Sequence, residues 1–458
     1  MNKYLKNLIY FVPIPFVINF LSNLSSISHV NLQSLLLAFF PFIFLYYLGD
    51  EINKILDLNS ISLSISIYLM GLFITNFIFL PIDKYFLSFS DIFIVYNLFV
   101  GLCCLYFSES KNKVLIIFGS LFLLRILLNL FGFNEFNYIE YNSDVPEFWL
   151  PTTEKIYDSD LFFSIQENII QGYPLMIPYI FANLHYLFFG SSTYLFSFII
   201  PNIFLYLNLF LIYESLQTKS VKYVTMITFT SILINSDWLS YLFFNSLMGE
   251  VVVNYLFSVF LVNAYLNKNI GNQKIYYLFL GFLYFLKPFA SLLFVFFAIF
   301  HYIKYKKNFI LYFTFIGLLF RRIYSSFNFF KSDSSKSQVS ENVYLDIFLE
   351  NFEKLFKFKF DNISAIFVEE ILIDRILTLF LLCYLLIKLI NFKSITNLNI
   401  MNIIFLINLV LVFYLYVTVW KDIELGSAYR YIFSFLTILF IDLGKTLSEI
   451  KKKNVRNI

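Results

Sequence analysis

The side chains best suited to chemistry lie in one polar segment, residues 132–171, between two long apolar runs. Asp144 follows the first run closely, and Glu147 and Trp149 come next in a stretch rich in aromatic residues and proline. The segment closes at Tyr173-Pro174, where proline suits the first position of a helix. This pattern predicts a carboxylate held at a lipid–water boundary, beside a lipid-linked substrate. The competing interpretation is an ordinary solvated loop, in which residues 141–171 hold six carboxylates: Asp144, Glu147, Glu154, Asp158, Asp160 and Glu167.

The elements that must position this segment are membrane-spanning helices. Hydrophobic residues make up 59% of the chain and charged residues 14%, and the mean hydropathy is +0.75. A soluble protein cannot bury so much apolar surface, whereas a bilayer can cover it. A spanning helix needs about 20 mainly apolar residues, and such runs recur along the chain. We therefore predict an all-α polytopic membrane protein with about 14 transmembrane helices, in a range of about 12 to 16.

Charge sets the predicted orientation of these helices. The start of the chain, MNKYLK, and its last stretch, EIKKKNVR, are basic, which places both in the cytoplasm by the positive-inside tendency. Counting from the start puts residues 108–113 inside and residues 132–171 outside, after the fifth span. The next runs are expected to return inward near 173–189 and to cross outward near 193–213. Three further basic links are expected inside: 267–274, 301–307 and 388–393.

The middle of the chain holds two interrupted apolar regions. Residues 222–249 are broken at Asn235-Ser236-Asp237, and residues 275–303 are broken at Lys287-Pro288. Each piece has about 14 residues and would be about 21 Å long as a helix, which is short for a crossing. Either region could be a tight hairpin or a re-entrant pair.

The sequence disfavours two energy-coupled or nucleotide-dependent functions. It contains no GxxxxGK[ST] and no GxGxxG motif, so it offers no phosphate-binding loop of either kind. An ATP-driven pump would therefore need a partner subunit, and a transferase with its own nucleotide-sugar domain is not expected.

The polar segment also resembles a known family. The run DVPEFWLPTTEKIY (144–157), followed by GYPLMIPYI (172–180), resembles the GT-C superfamily of integral-membrane glycosyltransferases. In that family an acidic residue in the first large extracytoplasmic loop precedes an aromatic and proline stretch, and a YP-containing segment opens the next span. Three later pieces are similar in kind: NSLMGE (245–250), GFLYFLKPFA (281–290) and GSAYRY (426–431). The likeness covers residues 114–446, and the first four spans have no counterpart in the simplest family pattern.

The resemblance implies a reaction and a set of site residues. Family members use a polyprenyl-phosphate sugar as donor and invert the anomeric carbon. Such a transfer needs a base beside the acceptor, and positive charge or a metal at the phosphate leaving group. Asp144 is then the candidate base, and Glu147 is a second acid or a metal contact. Lys287 and Arg430 are candidates for the donor phosphate, since arginine suits a bidentate contact. The full set predicted to bind substrate is Trp149, Tyr173, Glu250, Lys287, Tyr429 and Arg430.

The resulting prediction is a multi-pass protein of the cytoplasmic membrane, with its active site facing the extracytoplasmic side. Its partners are a polyprenyl-phosphate-linked sugar donor, a lipid, glycan or protein acceptor and membrane lipid, with no nucleic acid. The cofactor is left open, with a divalent cation as the candidate. The predicted parts are N-terminal transmembrane helices (1–113), a GT-C-like core (114–324), an external loop (325–365) and C-terminal helices with a basic cytoplasmic tail (366–458).

Two other functions stay open. An O-antigen or polysaccharide polymerase or ligase also combines many spans with one large external loop. It is expected to depend on external arginine and histidine, and residues 132–171 contain neither. A transporter or flippase for a lipid-linked glycan would instead place charged residues along a path through the spans, with a second set of binding groups facing inward.

Several other reactive residues favour structural roles. Arg125 lies inside an apolar run and is expected to pair locally. A lone histidine is more often structural than catalytic, which applies to His29, His185 and His301. The cysteines also lie inside apolar runs, so neither a disulfide framework nor a zinc site is indicated: Cys103, Cys104 and Cys383.

Overall fold

The computed structural model describes residues 13–24, 32–86, 89–131, 153, 156, 176–189, 196–236, 239, 249–266, 272–286, 288–326, 379–380, 382–384, 386–387 and 436–456. Every regular element in these ranges is helical, and none of them is a strand. The all-α prediction is therefore confirmed for this part of the chain.

The helices are numbered here in chain order, and a short 3₁₀ turn, Leu283–Phe285, follows α10. Their bounds are α1 (Pro13–Leu24), α2 (Leu32–Leu56), α3 (Ile61–Phe86), α4 (Phe89–Phe107), α5 (Lys111–Phe131), α6 (Met176–Phe188), α7 (Phe196–Ser215), α8 (Lys219–Asn235), α9 (Gly249–Leu266), α10 (Gln273–Phe282), α11 (Pro288–Tyr305), α12 (Phe309–Ser326) and α13 (Leu436–Arg456).

The turn at residues 57–60 joins the antiparallel helices α2 and α3 and marks one end of the bundle. We name this end the turn end and the opposite end the loop end. The start of α5 also lies at the turn end, because the Lys113 ammonium contacts Asp50 at 2.7 Å and Glu51 at 2.5 Å near the end of α2. Since α5 is 21 residues long, its last residue, Phe131, lies at the loop end.

The helix α7 runs in the direction opposite to the one that we predicted. Its last turn carries Glu214, whose carboxylate accepts hydrogen bonds from the backbone N–H groups of Ile61 and Ser62 at the start of α3. At its other half, the Tyr206 hydroxyl donates to the carbonyl of Leu35 near the start of α2. The helix therefore ends at the turn end, with residues 57–60, and not on the side predicted for residues 132–171.

The physical reason is that α6 is too short to cross. It has 13 residues, about 20 Å, against a hydrocarbon core of about 30 Å. Its Tyr179 ring contacts Phe73 midway along α3, and its Phe188 ring contacts Phe44 midway along α2. Because α6 lies around the middle of the bundle, the chain leaves α5 and enters α7 at the same end.

The interrupted region 275–303 is a hairpin that enters from the turn end. The backbone N–H of Asn272, just before α10, donates to the carbonyl of Asp57 in the turn. Where α10 and α11 lie side by side, the Tyr277 hydroxyl bonds His301 Nδ1 at 2.6 Å. The 3₁₀ turn at the tip contacts the middle of α3, through Phe285 and Phe73. We predicted either a tight hairpin or a re-entrant pair for this region. In the structure α10 and α11 form a pair of helices that starts and ends at the turn end.

Helices α10 and α12 come into direct backbone contact at one pair of glycines. A Cβ atom on Gly281 of α10 would overlap the carbonyl oxygen of Thr314, and one on Gly317 of α12 would lie 2.5 Å from the Gly281 carbonyl carbon. Two glycines thus permit direct backbone contact, as small residues do between membrane helices.

Two of the described helices are long and apolar enough to cross a membrane, judged by length and composition: Leu32–Leu56 and Ser90–Phe107. Several shorter apolar helices accompany them, among them Ile199–Ser215 and Gly249–Ala264. The core is built mainly from leucine, isoleucine and phenylalanine of α2, α3, α6, α7 and α9.

Candidate functional site

Among the predicted site residues, Glu250 lies in the described part of the chain. It is the second residue of α9 and is 3% exposed. A carboxylate in the first turn of a helix is favoured by the helix dipole, so its position also has a purely structural explanation. The other predicted site residues lie outside the described residues: Asp144, Glu147, Trp149, Tyr173, Lys287, Tyr429 and Arg430.

Three segments that contain predicted site residues join the described helices toward the loop end. The chain enters residues 132–171 after Phe131, the end of α5. Glu250 opens α9, whose other end carries Asn263 beside Asn59 of the turn. The third segment precedes α13, which begins at Leu436 and packs against α9 one helical turn from Glu250. The described helix ends that border these segments therefore lie toward a common end of the bundle.

Two residues of the polar segment itself are described, and both are buried. Thr153 is 4% exposed, Ile156 is fully buried, and both are helical. Ile156 belongs to the main hydrophobic core. Residues three apart lie on one face of a helix, so this part of the segment packs against the bundle. At these two positions the interpretation as a solvated loop is wrong.

A buried polar cluster ties together the helices that lead to the loop end. The Asn254 amide nitrogen donates to the Thr437 hydroxyl at 2.8 Å and to Asn208 Oδ1 at 3.3 Å. Thr437 in turn donates its hydroxyl to Asn208 Oδ1 at 2.9 Å and its backbone N–H to Asn254 Oδ1 at 3.2 Å. The cluster joins α7, α9 and α13. Sequence reasoning missed it, and the available signal was an isolated polar residue within each apolar helix.

Arg125 connects the two described helices on either side of residues 132–171. Its Nε donates to the carbonyl of Leu187 at 2.8 Å, and its guanidinium also bonds the carbonyl of Tyr186. Both carbonyls belong to the last turn of α6, which lacks partners within its own helix. These bonds are not the local pairing that we predicted, because the acceptors lie 61 and 62 positions away on another helix. The interaction fixes α6 against α5.

The middle of the bundle holds a second polar feature. Phe73 contacts both Tyr179 of α6 and Phe285 of the 3₁₀ turn, with ring centroids 5.4 and 5.1 Å apart. One turn after Tyr179, Asn183 is fully buried, and within the described part of the chain its side-chain amide has no hydrogen-bond partner. Leu286, which precedes position 287, is buried in the same hairpin. The hairpin enters from the turn end, and its tip contacts the middle of α3 through Phe285 and Phe73.

A polar cavity of about 360 Å³ lies at the turn end. It is enclosed by the turn 57–60, the last turns of α7 and α9 and the second half of α13. Its polar lining consists of Asn59, Ser60, Glu214, Ser215, Gln217, Thr218, Asn263, Lys445, Ser448 and Glu449. We call it the turn-end cavity. It faces away from the loop end, and sequence reasoning did not predict it.

The remaining reactive side chains have structural environments. His301 bonds Tyr277 and stacks against Phe297, with ring centroids 4.0 Å apart. His185 is buried and stacks on Phe189. Lys54 and Lys113 both contact Asp50 and Glu51, so this cluster balances its own charge. In the described ranges no three His, Cys, Asp or Glu side chains form a group suited to a metal ion.

Searches against protein-family models, curated proteins and solved structures found no match to this chain.

Proposed function

We propose that the chain is a multi-pass membrane protein of the cytoplasmic membrane, with its turn end in the cytoplasm. Large apolar side chains point outward along α4 and α5, and Phe99 and Ile116 are 65% and 70% exposed. A surface of this kind suits hydrocarbon better than water. Cytoplasmic segments carry an excess of lysine, and the turn end is rich in lysines: Lys54, Lys111, Lys113, Lys219, Lys222, Lys274, Lys304, Lys306 and Lys307. In detail, we propose a GT-C-like arrangement with about 12 crossings, the lower limit of the predicted range, because α6 is too short to cross and the α10–α11 hairpin returns to the turn end.

The activity that we propose is transfer of a sugar from a polyprenyl-phosphate carrier to a lipid, glycan or protein acceptor. The observation that carries it is the burial of Ile156 within the DVPEFWLPTTEKIY run. A segment packed into the core can hold its carboxylates in fixed positions, as catalysis requires. The approach of the segments around Glu250 and before α13 to the same end supports the same site.

The proposed reaction is a single displacement. The acceptor nucleophile attacks the anomeric carbon and gives its proton to Asp144. The bond between that carbon and the phosphate oxygen breaks, the configuration inverts, and polyprenyl phosphate leaves. Arg430 is assigned to the leaving phosphate, where two donors could contact two oxygens. Glu147 is assigned to a second acid or to a divalent cation, and Glu250 to substrate binding.

The test is product formation by the purified protein in liposomes supplied with polyprenyl-phosphate sugars. Asp144→Asn is expected to abolish transfer and to leave the thermal unfolding midpoint unchanged. Asp158→Asn, which removes another carboxylate of the same segment, is the matched control and should retain activity. Full activity of Asp144→Asn would reject Asp144 as the base. Loss of activity in both variants would indicate a general effect of charge in the segment.

A second candidate function is transport of a lipid-linked glycan. Two features favour it: the hairpin α10–α11 meets the short helix α6 beside Phe73, and Asn183 lies buried there. Transporters use interrupted helices of this kind at the middle of the membrane. The turn-end cavity would supply inward-facing binding groups. Movement of labelled lipid across the liposome membrane, without any transfer product from a folded protein, would favour this function over the first.

A further inference from the structure

We propose that the turn-end cavity binds a small neutral polyol, either a free sugar-like molecule or the polyol headgroup of a membrane lipid. The proposal does not rest on glycosyl transfer, because the cavity lies at the end of the bundle opposite to the proposed site. Its volume of about 360 Å³ falls within the range of ligand-binding cavities, about 300–1,000 Å³.

The cavity is built from rigid parts of the fold. Glu214 is held by three hydrogen bonds, from the N–H groups of Ile61 and Ser62 and the hydroxyl of Ser60. Asn263 is 2% exposed, and its amide nitrogen donates to the carbonyl of Val259. Because these anchors belong to α7, α9 and the start of α3, the polar lining keeps its geometry without a ligand.

The lining chemistry selects the class of ligand. Carboxylate and amide oxygens accept hydrogen bonds, while hydroxyls, amide nitrogens and the Lys445 ammonium donate them. A polyol both donates and accepts at every hydroxyl, so it matches this mixture. Glu214 and Glu449 against the single Lys445 disfavour an anion. A bare cation is disfavoured because Lys445 is positively charged and because Glu214 already caps the positive end of the α3 dipole.

One lining residue carries a hydroxyl without a described partner. Ser448 lines the cavity, and its hydroxyl oxygen is buried and has no hydrogen-bond partner within the described residues. A buried polar atom without a partner costs free energy. A ligand hydroxyl in the cavity would satisfy it. Ser258 of α9 also has a buried hydroxyl without a described partner, but it does not line the cavity, which makes it a matched control.

The experiment has one arm for each source of the polyol. In detergent without added lipid, the full chain is titrated with radiolabelled glucose, galactose and myo-inositol, and binding is measured by equilibrium dialysis. In nanodiscs, the thermal unfolding midpoint is compared between phosphatidylglycerol and phosphatidylcholine. A ligand that binds the folded state raises this midpoint. Saturable binding in the first arm indicates a free polyol, and a higher midpoint in phosphatidylglycerol alone indicates a headgroup.

Two variants at position 448 link either result to the cavity. Ser448→Ala is expected to weaken binding about three- to tenfold, the effect of one hydrogen bond. Ser448→Phe fills the space and should abolish binding or the lipid-dependent midpoint shift. Ser258→Ala should leave both unchanged. The proposal is overturned if neither arm gives a response, or if the response survives in Ser448→Phe. Saturable binding of inorganic phosphate without competition from the polyols would also overturn it.

Discussion

Glu214 accepts a hydrogen bond from the backbone N–H of Ile61 with an oxygen–nitrogen distance of 2.7 Å. The contact joins the last turn of α7 to the first turn of α3, 153 positions apart in sequence. The first N–H groups of a helix have no acceptors within the helix. Here a carboxylate from another helix accepts their hydrogen bonds. Glu214 therefore acts as a cap for α3 as well as a wall of the turn-end cavity.

Replacing Glu214 with alanine should destabilise the fold by about 2 kcal/mol or more, because it leaves buried N–H groups without acceptors. Glu214→Gln keeps one acceptor oxygen and should lose less. The free energy of unfolding, followed by tryptophan fluorescence during denaturant titration, measures both. Glu449→Gln, which changes an exposed carboxylate of the same cavity, is the control and should change stability by less than about 0.5 kcal/mol. Equal stability of Glu214→Ala and the wild type would contradict the capping role.

Adding one methyl group at Gly281 should destabilise the protein by about 1–3 kcal/mol, since it forces α10 away from α12. The same change at Gly119 meets no atom within 4 Å. Gly119→Ala should therefore be neutral or slightly stabilising, because alanine is the better helix former. Thermal unfolding midpoints of the two variants provide the comparison. A similar midpoint for both would show that α10 and α12 are not in backbone contact.

Arg125→Leu should cost about 2 kcal/mol or more, because it removes charge-assisted hydrogen bonds to the last carbonyls of α6. Arg125→Lys keeps the charge and one donor but not the planar fork, so its stability should be intermediate. If residues 132–171 carry the proposed site, the transfer rate should fall in the same order, because α5 and α6 flank that segment. Unfolding and transfer assays on the same preparations test the two effects separately. A fully stable Arg125→Leu variant would show that the contact is dispensable.

The Asn254 and Thr437 side chains should be energetically coupled. Single variants Asn254→Leu and Thr437→Val and their double variant form a cycle that isolates the pairwise term. Hydrogen bonds between membrane helices average about 0.6 kcal/mol and reach about 1.7 kcal/mol, and we expect a coupling within this range for the bond between the two side chains. The backbone N–H of Thr437 still donates to Asn254 in Thr437→Val, so that contact does not enter the cycle. Additive effects of the two single variants would indicate that α9 and α13 are held together by packing alone.

Element positions were largely predictable from apolar runs. The run near 193–213 is the helix α7, which spans Phe196–Ser215, and the break at Asn235 is the end of α8. The break at Lys287-Pro288 separates the 3₁₀ turn from α11. These features depend on local composition and on the inability of proline to continue a helix, so a single sequence contains them.

Directions and long-range contacts were not predictable in the same way. Counting alternate crossings assigned the wrong direction to α7, because it treated residues 173–189 as a full span. The cluster of Asn208, Asn254 and Thr437 joins positions that are up to 229 apart, and no local pattern indicates which polar residues meet. The burial of Ile156 in the core was not predicted, because the sequence suggested either a lipid–water boundary or a solvated loop. The roles of Asp144 and Arg430 stay predictions.

The glycine contact between α10 and α12 has a consequence for how the chain is made. The α10–α11 hairpin starts and finishes at the turn end, so in the membrane arrangement that we propose no part of it has to pass to the far side during synthesis. Its backbone at Gly281 gains its closest neighbour only when Gly317 has been added, 36 residues later along the chain. Until α12 is complete, the hairpin lacks the surface against which it packs most closely. The C-terminal helix of this trio therefore sets the time at which the other two can assume their final positions.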